Sequence, residues 1–357
     1  MAGEQGNPTY PLWDGFESVA DYAKKVNLPP TKTLDLGNNV KIEFVLIPAG
    51  KFIMGTPEPE PVDEERFHKQ IQNAQILLAV SGGVLLVLLF GIIAQAIRKR
   101  QRPKYSLLWL LAMTVVAGLA VLGGVNWKKS SWELESARAE QEAAKARFIL
   151  ASSSEKPAHR VTLTWPFYMG KFTVTQEQYQ QVIGSNPSQF KGKDNPVESV
   201  SWDDAQTFCK TLAAQIKQIV RLPSEAEWEF SCRAGTTTTF YSGDTEADLA
   251  RVAWNFESSA GTTHPVGKKE PNGFGLYDMC GNVWQWCEDK FSENYLGQTE
   301  IVNPDGPIGG KNRTIRGGCW YNGSSDCRSA SRGGGSLPNN RVDGIGFRVV
   351  VMPVLKK

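Results

Sequence analysis

The stretch RGGCWYNGSSDCRS, residues 316–329, places Cys319 and Cys327 in a glycine- and serine-rich segment around Trp320. Two thiols so placed can form a reactive pair, hold a soft metal ion, close a disulfide, or stand as separate buried thiols. Spacing alone does not give the geometry a disulfide needs. The other four cysteines are Cys209, Cys232, Cys280 and Cys287, and an even count in 357 residues does not establish pairing. No C-x-x-C occurs, so structural zinc is not expected. The three histidines, His68, His159 and His264, suggest no Ser-His-Asp triad, and GGGS at 333–336 is not a nucleophile elbow. Trp284, Trp320, Tyr321 and Asn322 are candidates for a ligand groove that could take an extended peptide or a sugar. For Trp286 core packing is the better reading. The loops YNGSSD and GGGSLPNNRVD add a polar, glycine-rich surface of the kind that carries recognition.

The elements that must position these residues read as α+β. VKIEFVLIPAGKFIMG, residues 40–55, is strand-like with a turn at 48–50, and RVTLTWPFYMGKFTV, residues 160–174, is strand-like again. TQEQYQQVIG and SWDDAQTFCKTLAAQIKQI read as amphipathic helices capped by Thr175 and Ser201. In LPSEAEWEF, Ser224 stands three residues before Glu227, a capping-box spacing. From 234 onward turn residues dominate, with short strands expected near 283–287, 313–316 and 346–351. With 34 glycines and 11 tryptophans the domain is expected to be loop-rich, with aromatic anchors.

Two apolar runs interrupt this pattern. Residues 76–97 and 107–125 are uncharged and long enough to cross a bilayer, with the basic loop 98–106 between them. The loop carries Arg98, Lys99, Arg100, Arg102 and Lys104, which by the positive-inside rule places it in the cytoplasm and both chain ends outside. A transmembrane hairpin over 67–131 is therefore expected, making the lipid bilayer a partner. A lead segment at 1–39 and the first strands at 40–66 precede it. A charged helix and linker follow at 132–156, and the rest of the soluble domain occupies 157–353. The polar N-terminus is not a secretory signal peptide. A net charge of +2, with no basic cluster on a soluble stretch, gives no reason to expect a nucleic-acid partner.

Seven segments, FVLIPAGKFIMG, FYMGKFTVTQEQY, NPVESVSWDDAQTFC, RLPSEAEWEFSCRAG, NGFGLYDMCGNVWQWCED, RGGCW and GIGFRVV, occur in this order. Together they resemble the sulfatase-modifying-factor family, which includes the formylglycine-generating enzyme, over about 40–56 and 157–352. The resemblance implies a C-type-lectin-like, loop-rich fold interrupted by the hairpin. In the oxidase members it implies a groove motif G-G-S-x-x-C-x-x-x-x-C whose two thiols bind Cu(I), and a sulfatase cysteine oxidised to formylglycine with molecular oxygen. Here Gly317 and Gly318 match, Cys319 stands at the Ser position, Asn322 replaces the first copper cysteine, and Cys327 keeps the second. Asn is a poor Cu(I) ligand. Copper is thus expected only if Cys319 and Cys327 form a displaced catalytic site. The favoured reading is a structural Cys327 and an incidental Cys319.

The resemblance further implies a calcium site, carried by position onto Asp278, Gly281, Val283 and Gln285. Gln285 stands for an acid, so a cation-free turn is the competing reading. Trp284 matches a groove residue of the enzyme members. Cys209 and Cys232 match positions disulfide-bonded in some secreted members, but the partner positions hold Val349 and Arg332. Unpaired thiols suit a reducing compartment; the basic loop nevertheless favours an exocytoplasmic soluble domain. The reading reached is a membrane-anchored binding or accessory member whose partner is an exported protein or peptide such as a sulfatase. A formylglycine-generating oxidase with a displaced thiol site and a variable lectin-like receptor are the alternatives.

Overall fold

In the computed structural model of the chain, residues 10–59, 61–99, 107–150, 153–293 and 300–354 are described. The chain divides into two compact units, one formed by 1–58 with 147–357, the other by 59–146.

The first unit is built on a five-stranded sheet in the order Thr31–Asp35, Lys41–Ile47, Phe167–Gly170, Val350–Val351, Val220–Arg221. Successive side chains of a strand point to opposite faces, and here both faces are covered. Ile42, Phe44 and Leu46 enter one hydrophobic core, and their neighbours Val45 and Ile47 enter a second. Tyr168 and Val351 join the first core; Phe167, Met169 and Val350 join the second. That double burial is why VLI and YMG read as unbroken apolar runs.

A four-stranded sheet runs in the order Arg332–Ser336, Arg313–Arg316, Trp284–Lys290, Ile345–Phe347. A three-stranded sheet joins Gly50–Met54, His159–Leu163 and Glu300–Val302. The first two of these are antiparallel partners that lie on either side of the second unit in sequence. Beyond them, the Thr56 N–H donates to the Glu155 carbonyl at 3.2 Å and its hydroxyl to Glu155 Oε2 at 3.0 Å. The chain therefore leaves and re-enters this unit at neighbouring points.

The helices Gln176–Ile183, Trp202–Ile216 and Glu225–Arg233 start at Thr175, Ser201 and Ser224, each with a reciprocal capping box. Residues 1–39, expected as a lead segment, hold the helix Val19–Val26 and the first strand of the five-stranded sheet. Tyr22 on that helix is fully buried; its hydroxyl donates to the Pro11 carbonyl and accepts from the Ala49 N–H.

Every residue of the helix Glu225–Arg233 is buried, although four are charged. A buried charge must be paired and hydrogen-bonded. Glu225 takes a bidentate pair from Arg332, at 2.5 and 2.9 Å. Glu229 is shared by Arg233, at 2.9 Å, and by Arg316. Burial pushes the Glu229 carboxyl up, but the two guanidinium groups and the Gly55 N–H outweigh it and hold it low. Glu155, just after the second unit, takes a bidentate pair from Arg328 at 2.7 Å to each oxygen.

The second unit holds the helix Glu64–Lys99 and residues 107–146 of the helix Leu107–Leu150. The apolar runs 76–97 and 107–125 lie on these helices, and the second helix continues to Leu150, into the segment 132–156 expected as a charged helix and linker. The basic-loop residues 100–106 lie outside the described residues. Among the described residues no helix is long and apolar enough to cross a membrane, so the expected pair of spans is not found there.

Removing one partner of a buried pair strands the other. Glu155→Ala is expected to cost about 3–5 kcal/mol in denaturant unfolding. Lys24→Ala, which breaks a pair exposed on both sides, is expected to change the unfolding free energy by less than about 1 kcal/mol.

Candidate functional site

The loop 316–332 is clamped at both ends. At its start, Arg316, with no exposed surface, bonds Glu229 and the carbonyls of Ala330 and Ser331. At its end, Arg328 and Arg332 bond Glu155 and Glu225. Between them the chain turns through Gly317 and Gly318, at φ +102° and +73°. A Cβ at Gly318 would come within 2.7 Å of Cys327 Sγ, so the turn accepts only glycine. A second turn packs against it: the Gly281 N–H donates to the Gly317 carbonyl at 2.7 Å, and the Trp320 N–H donates to the Asn282 carbonyl at 3.0 Å.

Cys319 and Cys327 are both fully buried and both free thiols. They belong to different hydrophobic cores, Cys319 to the first and Cys327 to the second. Asn322 staples the loop. Its Oδ1 accepts from the Cys319 N–H at 3.1 Å and from the Cys319 thiol at 2.8 Å, while its Nδ2 donates to Asp326 at 2.6 Å. Burial pushes the Cys319 thiol up to about 12 and raises Cys327 well above its ordinary range. The Cys319 thiol already donates to an amide oxygen and the two thiols pack in different cores, so as arranged they do not present a two-thiol Cu(I) site.

The positions carried over for calcium are brought together, but Asp278 Oδ2 and Gln285 Oε1 already accept from donors within the protein. Asp278 Oδ2 accepts from the Gly267 N–H at 2.8 Å. Gln285 Oε1 accepts from Trp228 Nε1 at 2.9 Å and Arg348 Nε at 2.8 Å, and its Nε2 donates to the Asp278 carbonyl at 2.8 Å. Arg348, fully buried, also donates to the carbonyls of Gly170 and Tyr277. A fixed guanidinium therefore supplies the positive charge near Asp278. Gly281, at φ +75°, and Val283 complete the turn, and a Cβ at Gly281 would come within 2.3 Å of the Trp254 carbonyl oxygen. As arranged, these residues do not fit a calcium ion, which wants several oxygen ligands and more negative charge.

The aromatic candidates separate. Trp284 lies in the strand Trp284–Lys290 and is buried in the first core, as is Trp286, whose indole donates to the Val200 carbonyl. Trp320 is half-buried, edge-on to Phe190 at 5.2 Å and to Tyr321 at 4.9 Å. Tyr321 is 40% exposed. Phe256, absent from the sequence-based set, is 70% exposed and donates its N–H to the Asn322 carbonyl at 2.9 Å. It sits in an irregular loop with no periodicity to mark it. Tyr321 in the loop and Phe256 against it are the exposed large aromatic side chains at this site.

All six cysteines are free and buried. An aromatic disulfide reagent at neutral pH is expected to label none of them quickly in the native protein and all six after unfolding in guanidinium. Rapid native labelling of Cys319 would contradict the buried geometry.

The sequence model of the sulfatase-modifying factor enzyme 1-like domain matches residues 120–353. The formylglycine-generating enzyme of Streptomyces coelicolor is 35% identical over 177 residues, covering 45% of this chain and 54% of that protein. The formylglycine-generating enzyme of Mus musculus is 31% identical over 215 residues, covering 56% and 55%. The chain thus spans about half the length of these curated relatives. Among solved structures, Treponema denticola variable protein 1 superposes with a TM-score of 0.60 at 23% identity, over 91% of this chain and all of that one, a likeness of fold. The domain match covers more than half of the chain and holds the clamped loop and the turn behind it. The chain belongs to the sulfatase-modifying factor enzyme 1-like family.

Proposed function

We propose that the chain is a binding or accessory member of this family rather than an oxidase. Its ligand is a segment of an exported protein, such as a sulfatase, engaged by the face around Tyr321 and Phe256. The observation that carries this reading is Asn322. It stands where the family's oxidase motif has a cysteine, and its amide oxygen accepts from the Cys319 thiol. A displaced Cys319/Cys327 oxidase is the second reading, favoured by the identity to formylglycine-generating enzymes. Mass spectrometry decides between them. A peptide containing C-x-P-x-R is incubated with the full chain, Cu(I), a thiol reductant and oxygen. The proposed reading expects no formylglycine. A product lost in both Cys319→Ala and Cys327→Ala would establish the second.

The proposal includes a membrane anchor formed by 76–97 and 107–125, with the larger unit on the exocytoplasmic side. What supports it is the absence of charge along both runs, the basic loop between them, and the exposure of apolar side chains on the helices. Val87 is 72% and Phe90 69% exposed, and Val121 and Val125 are exposed as well. In water that apolar surface stays unburied, at about 25 cal/mol per Å2; in lipid it is satisfied. The full chain is expected to stay with the membrane pellet after alkaline carbonate washing. Release into the supernatant would refute the anchor.

A further inference from the structure

A cavity of about 300 Å3 lies away from the Asn322 loop, bounded by the strand Trp284–Lys290, the cap of the helix Glu225–Arg233 and the 303–305 segment. Its charge is one-sided. Among the described residues Arg221 is the single basic residue lining it, and both its terminal nitrogens are taken by Glu227, at 2.6 and 2.7 Å. The carboxylates of Glu288, Asp289 and Asp305 make no ion-pair contact with a cation among the described lining residues, although Arg221 lies near the first two. Glu288 takes only the neutral Gln206 amide, at 2.5 Å. Leu163, Trp165 and Met352 supply an apolar wall.

Asp289 is the informative member. It is 3% exposed, and its Oδ2 accepts from the Glu225 N–H at 2.7 Å. Its Oδ1 is buried and has no donor among the described residues. A buried acceptor left without a donor is costly, and such atoms are uncommon unless something fills the place. The neighbouring chain is shaped around this oxygen: Gly306 has φ +73°, and a Cβ there would come within 2.6 Å of Oδ1.

We propose that this cavity binds a small organic cation, an alkylammonium or guanidinium group. The cation donates to Asp289 Oδ1, is balanced by Glu288 and Asp305, and lies with its aliphatic part against Trp165. A nitrogen cation suits the site because it brings donors as well as charge, and an aromatic wall favours it further. A bare divalent ion does not suit it: among the described residues no three His, Cys, Asp or Glu side chains converge as metal ligands. The volume admits a group the size of an amino-acid side chain or a short amine, at the small end of ligand cavities. The same chemistry is offered by a free amine and by a Lys or Arg side chain of a polypeptide.

Isothermal titration calorimetry on the full chain tests this. The probes are agmatine, cadaverine, a short Arg-containing peptide and calcium chloride. The pH is 8.5, because burial, with Glu225 and Glu227 nearby, pushes the Asp289 carboxyl up to about 8. Saturable binding of agmatine or cadaverine is expected if the source is a free amine, and of the peptide alone if it is a polypeptide. Either affinity should fall at least tenfold in Asp289→Asn and in Asp305→Asn. Asp305 is exposed, so its variant reports on binding even if Asp289→Asn does not fold. Binding of none of the organic cations, binding of calcium instead, or an affinity unchanged in Asp305→Asn would overturn the proposal.

Discussion

The pairing of buried carboxylates with buried arginines is the constraint on which the rest of this structure depends. Glu225 and Glu229 sit on a helix that is buried along its whole length, and Glu155 sits where the chain re-enters the larger unit. None could remain ionised there without partners. The partners, Arg316, Arg328 and Arg332, all come from one loop and its edges. The ion pairs therefore do a positional task that apolar packing could not. They fix both ends of a glycine-rich segment with little regular structure of its own. Such pairs contribute modestly to net stability once desolvation is counted, but they are strongly specific, because a misplaced arginine would leave a carboxylate stranded in the core.

That clamp determines what the loop can do. With both ends held, Cys319 and Cys327 point into separate cores, and the Asn322 amide spans the interval between Cys319 and Asp326. Thiolate chemistry needs a positive neighbour or a metal to lower the thiol. Here desolvation pushes the Cys319 thiol up and outweighs the hydrogen bonds from Tyr321 and Asn322 that pull it down. The adjoining turn follows the same logic with the charge reversed. Arg348 delivers a guanidinium beside Asp278, and Gln285 is neutral and used at both ends. Both turns are closed by hydrogen bonds within the protein, and Tyr321 and Phe256 are the exposed aromatic residues beside them.

Much of the scaffold was readable from local pattern. The caps at Thr175, Ser201 and Ser224 are side-chain-to-backbone bonds between residues three apart, and helices begin after each. The strands at 41–47 and 50–54 follow from an apolar run broken by Pro48. Tertiary pairing was not readable in the same way. The strand Arg332–Ser336 has glycine, a residue of little strand propensity, at three of its five positions. It forms because Gly333 lies against Ile315 and Trp284, where a Cβ would come within 2.5 Å of the Ile315 side chain. Trp284 was a candidate for the groove wall, yet strand alternation does not say which face is covered, and its face is. The substitution at Asn322 was visible as a missing cysteine. That its oxygen would accept from the thiol three residues back depends on a turn that only the fold supplies.

The central claim is that Asn322 closes the position where the family's oxidase motif has a thiol, leaving no Cu(I) centre. Competition for Cu(I) against a chromophoric chelator, on the full chain under reducing conditions, tests it most directly. The account predicts that the chain withdraws no stoichiometric Cu(I) from the chelator. Stoichiometric uptake that disappears in Cys319→Ala and in Cys327→Ala would contradict it.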